Sequence, residues 1–439
     1  MYSQKILDEL KRKNISRGDR VRLVSGGSVF EGLLMPRPDF GDQDLIVIKL
    51  ESGYNTGLAM DSIELIEKAP PRPAESHPEE SPKEGSVAIL GCGGTIASKI
   101  EYKTGAVYPS ISPTELREAF PALARWPIHS RKIFSLFSED MNAHHWRLLA
   151  DSIEAEIKDG SSGIVVMHGT DTMVYTAAAI SFMLQNLPVP VVLVGSQRSS
   201  DRPSSENQMN LVNSVFSATK DFGEVSVCMH ASTNDDYCHL HRGTRVRKMH
   251  TSRRDAFRSI NARPLFLADY RADRFEALSP FRKRATGGFA AKKELNDNVA
   301  LIYVHPNIKP GLISRLDDYD GVVLMGTGLG HVPTDAFGDD TVKGIYKPIA
   351  ELIESGIPVV MSSQCISGRI CMRVYTNGRL LRNAGVIGDG ADWTPEAAYA
   401  KLCWVLGQTK DMKKVRQMME VDVAGEITAR SALDGMEGD

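Results

Sequence analysis

The chain has 439 residues, 42% hydrophobic and 24% charged, with a formal net charge of −3. That length exceeds the usual single domain, and the composition can fill a large core, which excludes a disordered polymer. So mild a charge argues against coating nucleic acid or an anionic membrane by bulk charge, although a local basic face stays open.

Residues 1–66 read as a small all-β module. GDRVRLV, SVFEGLLM, DLIVIKL and SIELIE cluster β-branched residues between Gly, Asp and Pro turns, and four or five short strands predict an SH3-like barrel. EKAPPRPAESHPEESPKEG, over 67–85, has almost nothing apolar to bury and reads as an extended linker. From Ser86 the pattern changes. SVAILG, GIVVMHG, PVVLVGS, VSVCMHAS, ALIYVH, GVVLMGTG and PVVMSSQ are runs of buried strand type, separated by helical stretches such as WRLLADSIEAEI and IYKPIAELIESG. Strands alternating with helices predict α/β architecture with mostly parallel, doubly covered sheets. The polar stretch TGGFAAKKELNDN suggests two α/β units, 86–288 and 298–420, followed by a tail over 421–439. The six cysteines are scattered and none forms C-x-x-C, so reduced thiols are expected. No signal-like stretch and no run of about 18 apolar residues is found, so a soluble cytoplasmic protein with no membrane contact is expected.

Ligands of open α/β sheets bind beyond the carboxyl ends of the strands. Two segments lie there. SVAILGCGGTIAS runs from a strand through glycines to Thr95, and it matches neither G-x-G-x-x-G nor the P-loop pattern. GIVVMHGTDT runs from a strand to Thr170 and Asp171. Three readings compete for that strand end. Thr and Asp are favoured helix caps, and a helix follows. A metal site could draw on His144, His145, His230, Cys238, His239 and His241, but none has a complete ligand spacing. The third is a catalytic relay: a threonine hydroxyl becomes a good nucleophile only when a base takes its proton. Lys248, in RVRKMHTSRR, could serve. Arg245, Arg247, Arg253 and Arg254 around it would favour the neutral amine, and Asp171 would oppose that. The basic run Arg242 to Arg258 could touch RNA phosphates, although local salt bridging is the simpler reading.

GGTIAS, HGTDT, RKMHTS and GTGLGH, in this order, resemble the bacterial-type L-asparaginase and glutaminase superfamily over roughly residues 86–410. The resemblance implies an amidohydrolase with Thr95 as nucleophile and Thr170, Asp171 and Lys248 as its second constellation. Asp171 would also bind the substrate's α-ammonium. Tyr102, in EYKTGAVY, would be the mobile-loop tyrosine, with Tyr108 the competing candidate. Ser138 and Glu139, in FSEDMN, would bind the α-carboxylate and α-ammonium. The superfamily also implies a site shared between two protomers, with GDGADWTPEAAYAKL (388–402) resembling the region that reaches across.

The front module and the FSEDM variant resemble the D subunits of archaeal-type glutamyl-tRNA(Gln) amidotransferases. That resemblance implies ammonia release from Gln or Asn for an E-type partner. The partner would hold Glu-tRNA(Gln) and carry the ATP and Mg, so no cofactor is expected in this chain. The assembly implied is a homodimer within a heterotetramer. The rival readings are a stand-alone cytoplasmic L-asparaginase or glutaminase, and a non-catalytic binding protein on the same scaffold.

Overall fold

The computed structural model describes residues 2–35, 42–51, 54–68, 84–93, 98–100, 107–109, 116–117, 119–198, 204–339 and 341–431. The front module is a five-stranded antiparallel sheet. Its strands run in the order Asn55–Ala59, Leu45–Leu50, Ser28–Leu34, Arg20–Ser25, Ser62–Glu67. It also carries a helix that the strand pattern did not suggest, Gln4–Arg12. Only Ile6 and Leu10 of this polar segment are buried, one turn apart on one face. They pack with Tyr2 and Ile15 on Val21, Leu23, Ile46, Ile48 and Ile63. Most of the linker expected over 67–85 lies outside the described residues.

The main sheet has eight strands in the order Arg274–Ala277, Phe266–Asp269, Cys238–Arg242, Val225–His230, Val191–Val194, Gly163–Met167, Val87–Gly93, Ile128–Leu136. The strands from Val225–His230 to Ile128–Leu136 are parallel. The other three return antiparallel. The expectation of mostly parallel sheets holds, with an antiparallel edge that the apolar runs did not announce. Alternation within one strand serves both faces. Ile164 and Val166 belong to one buried cluster, Val165 and Met167 to the other.

The second unit has a parallel three-stranded sheet, Val299–Tyr303, Gly321–Gly326 and Val359–Ser363. GTGLGH is its strand-to-turn element, closed by a bridge between Thr327 and His331. Helix Pro395–Gln408 of this unit lies on helix Met173–Met183 of the first, with Phe182 stacked on Trp404 at 6.1 Å and Tyr175 edge-on to Tyr399 at 6.0 Å. One hydrophobic cluster therefore runs from Leu90 and Ile164 through this helix pair to Val322 and Val360.

The segment from 421 to 431, expected to be tail, is docked. Glu426 is fully buried against Lys401 at 2.6 Å. Thr428 donates from both its backbone N–H and its hydroxyl to Asp392. The local composition looks loose because these contacts are made with residues far back in the chain.

Candidate active site

Strand Gly163–Met167 ends inside the main sheet, and five residues, His168 to Thr172, lead from it into helix Met173–Met183. This turn is where the three readings of the sequence separate. Thr172 occupies the N-cap position and makes no side-chain capping bond. Thr170 and Asp171 precede the cap and are used elsewhere. Lys248, at the end of strand Val246–Lys248, donates to Thr170 Oγ1 at 3.0 Å and to Asp171 Oδ1 at 2.7 Å. Thr170 is buried, and the Lys248 side chain is 13% exposed against 67% for Asp171. The lysine thus approaches from inside the protein, and the carboxylate stays open to anything arriving from solvent.

Ser138 is brought to the same turn. It is buried in the short 3-10 turn Ser138–Asp140, and its carbonyl accepts the Thr172 hydroxyl at 2.6 Å. Gly169 makes the approach possible, because a Cβ there would stand 2.8 Å from Ser138 Cβ and 2.9 Å from Ser138 Oγ. Glu139, next in the chain, is exposed. Thr95 and Tyr102 lie outside the described residues. So does the side chain of Tyr108, whose backbone is in strand Val107–Pro109.

A buried chain of side chains behind the turn was not foreseen. The Trp146 indole donates to Thr176 Oγ1 at 3.0 Å, and the Thr176 hydroxyl meets His168 Nε2 at 2.9 Å. His168 Nδ1 lies 2.7 Å from the Gly169 carbonyl. A carbonyl only accepts, so the proton sits on Nδ1 and Nε2 takes the Thr176 hydroxyl. Burial pushes the imidazole pKa down to about 4, which keeps this ring neutral. The one sequence signal was Thr176, a small polar residue in the otherwise largely apolar MVYTAAAISFM.

The expected crowding of Lys248 by arginines is not what the structure holds. Each arginine has its own carboxylate: Arg245 with Asp392, Arg247 with Glu396, Arg253 with Asp255 and Arg254 with Asp235. Local salt bridging accounts for the basic run. Two of the histidines weighed as metal ligands are likewise engaged. His230 meets Asn210 Oδ1 at 2.6 Å and Asp235 Oδ1 at 3.0 Å, and His241 meets Ser259 Oγ at 2.8 Å. No cluster of three or more His, Cys, Asp or Glu able to hold a metal ion occurs among the described residues. Within the chain, Asp392 and Glu396 of the segment 388–402 pair with Arg245 and Arg247.

A threonine, an aspartate and a lysine meet at the carboxyl end of a parallel strand in a two-unit α/β frame, the arrangement expected from the resemblance to the asparaginase class. Family profiles agree: Asparaginase, N-terminal, matches residues 86–278, the Glutaminase/Asparaginase C-terminal domain matches 298–419, and the GatD N-terminal domain matches 15–68. The L-asparaginase from Thermococcus kodakarensis superposes with a TM-score of 0.70 at 32% identity, covering 78% of this chain and 99% of that one. L-asparaginase I from Vibrio cholerae does so with a TM-score of 0.65 at 29% identity, covering 79% of this chain and 100% of that one. The chain is 46% identical to the D subunit of glutamyl-tRNA(Gln) amidotransferase from Pyrococcus horikoshii, over 97% of this chain and 98% of that protein. It is 45% identical to the D subunit from Methanothermobacter thermautotrophicus, over 98% of both. The chain belongs to the family of glutamyl-tRNA(Gln) amidotransferase D subunits.

Proposed function

We propose that this chain is the amidohydrolase component of a tRNA-dependent amidotransferase. It releases ammonia from Gln or Asn, and an E-type partner uses that ammonia to convert Glu-tRNA(Gln) to Gln-tRNA(Gln). The observation that carries the reading is Lys248 Nζ within hydrogen-bond reach of both Thr170 Oγ1 and Asp171 Oδ1.

In this reading Thr95 attacks the side-chain amide carbon and forms an ester. The C–N bond breaks, and the Thr95 proton passes through Thr170 and Lys248 toward the leaving nitrogen. Water then hydrolyses the ester. Such proton transfer is typically worth about 10²–10⁴ in rate. The open carboxylate of Asp171 takes the substrate's α-ammonium, Ser138 and Glu139 bind its charged end, and Tyr102 is the loop tyrosine that the resemblance implies. ATP and Mg act at the partner. The assembly is a homodimer within a heterotetramer in the cytoplasm, and tRNA is held mainly by the partner, which suits a chain of net charge −3.

Free ammonia in neutral water becomes ammonium and stops being a nucleophile, so release is coupled to the acceptor through a conformational step. The test is ammonia release from Gln and from Asn, by the chain alone and then with the partner, Glu-tRNA(Gln), ATP and Mg. A sharp rise only in the complete system is expected. Equally fast release by the chain alone would favour a stand-alone asparaginase or glutaminase, as the close superposition on L-asparaginases suggests.

A further inference from the structure

We propose that Arg245 and Arg247 are positioning residues for Lys248, and that segment 392–396 of the second α/β unit fixes the reach of that lysine to Thr170 and Asp171. The inference rests on the reading that Lys248 is the relay base.

Lys248 comes from a short strand, Val246–Lys248, which among the described residues pairs only with Phe257–Ser259. So small a ribbon has little stiffness of its own. Its side chains alternate between two faces. Val246 enters the cluster that contains helix Met173–Met183, and Lys248 shares its side. Arg245 and Arg247, three residues and one residue before the lysine, are held from elsewhere. Arg245 is fully buried, and each of its three guanidinium nitrogens donates one hydrogen bond. Nε donates to the Gly425 carbonyl at 2.7 Å, Nη1 to the Asp392 carbonyl at 2.9 Å and Nη2 to Asp392 Oδ1 at 3.2 Å. Arg247 Nε lies 3.0 Å from Glu396 Oε1, in the first turn of helix Pro395–Gln408.

That same helix packs on Met173–Met183, the helix entered directly from Thr170 and Asp171. Both halves of the relay are therefore referred to one body, helix Pro395–Gln408 and the segment from Asp392 that leads into it. The acceptors come from one side and the lysine from the other. Nζ must satisfy two oxygens at once, so a shift of the strand strains both contacts, and misplacements of about 1 Å can cost about 10²-fold.

The test measures kcat, KM and the kcat–pH profile for glutamine hydrolysis by the full-length chain in the complete coupled system. Arg245→Lys keeps the charge but cannot span three acceptors. It is expected to lower kcat about 10- to 100-fold while KM, set by the untouched substrate contacts, changes less than about threefold. Arg247→Gln leaves the buried Arg245 network whole and so retains the fold. It is expected to lower kcat and displace the pH profile, and Arg247→Lys, which restores the ion pair, is expected to recover both. Lys248→Met is the reference, with an expected loss of about 10²–10⁴. If Lys248→Met is inactive while Arg245→Lys and Arg247→Gln keep wild-type kcat and pH profiles, the positioning role is wrong. Full activity in Lys248→Met would instead remove the relay itself, and the positioning role with it.

Discussion

At Gly169 a missing side chain and a fixed carbonyl act together. The missing Cβ admits Ser138, and the carbonyl is held by a histidine whose other nitrogen is tied, through Thr176, to Trp146. In the folded chain His168 is neutral, with Nε2 taking the Thr176 hydroxyl and Nδ1 donating to the Gly169 carbonyl. The folded pKa, about 4, lies below the ordinary value of 6.5. Between these values the unfolded chain binds the proton and the folded one does not. His168 therefore favours folding fully above pH 6.5, and this contribution is lost as pH falls toward 4, an effect of about 3 kcal/mol across the window. His168→Gln is expected to flatten the decline of melting temperature between about pH 7 and pH 4.5. Parallel declines in wild type and variant would rule the contribution out. Thr170, Asp171 and Lys248 could be singled out as candidates because each lies in a short contiguous motif. The Trp146–Thr176–His168 chain was not, since its members come from separate elements and meet only on folding.

Among the elements, helix Met173–Met183 does the most to join the two units. It is buried on nearly every side, so it shows no amphipathic stripe. Its partner helix supplies Trp404, which is 2% exposed, stacks on Phe182 and donates to the Lys292 carbonyl at 3.1 Å. Trp404→Ala is expected to cost about 3–5 kcal/mol, read by chemical denaturation, because neighbours on two rigid helices cannot close the cavity. A loss below about 1 kcal/mol would mean that the helix pair is not a rigid joint. The buried strands were readable as apolar runs, since a strand covered on both faces has few polar positions to interrupt it. Helix Gln4–Arg12 went unread because its apolar residues, Ile6, Leu7 and Leu10, span little more than one turn and precede a module read from its strands. The three antiparallel edge strands were equally hidden: strand direction depends on the partner met in space, and Cys238–Arg242 reads CHLHR, without an apolar run.

On the scale of the whole molecule, the C-terminal segment closes the frame over the joint between the two α/β units. It reaches the first unit through Thr244, which donates to the Ala424 carbonyl at 2.9 Å, and through Arg245. It reaches the second through the fully buried pair of Lys401 and Glu426. Burial alone would raise the Glu426 pKa. Lys401 and the N–H groups of Ala424 and Val423 outweigh it and hold the carboxyl below its usual range. In the wild type this carboxylate stabilises the fold above its unfolded pKa, and the contribution is lost as pH falls through the folded value. Lys401→Met reverses the sign. The carboxylate is left buried without a counter-charge, its folded pKa rises, and its contribution favours folding only at acid pH. The expected cost near pH 8 is about 3–5 kcal/mol, shrinking as pH is lowered toward about 5. Adding Glu426→Gln, which removes the stranded charge and keeps an acceptor for the two N–H groups, is expected to recover part of the loss and to abolish its pH dependence. Denaturation of the three proteins at about pH 5 and pH 8 checks this, and a pH-independent cost in Lys401→Met would show that packing, not charge, holds the segment down. Because Arg245 donates to the Gly425 carbonyl in this same segment, a strap loosened at Lys401 is felt at the strand that carries Lys248.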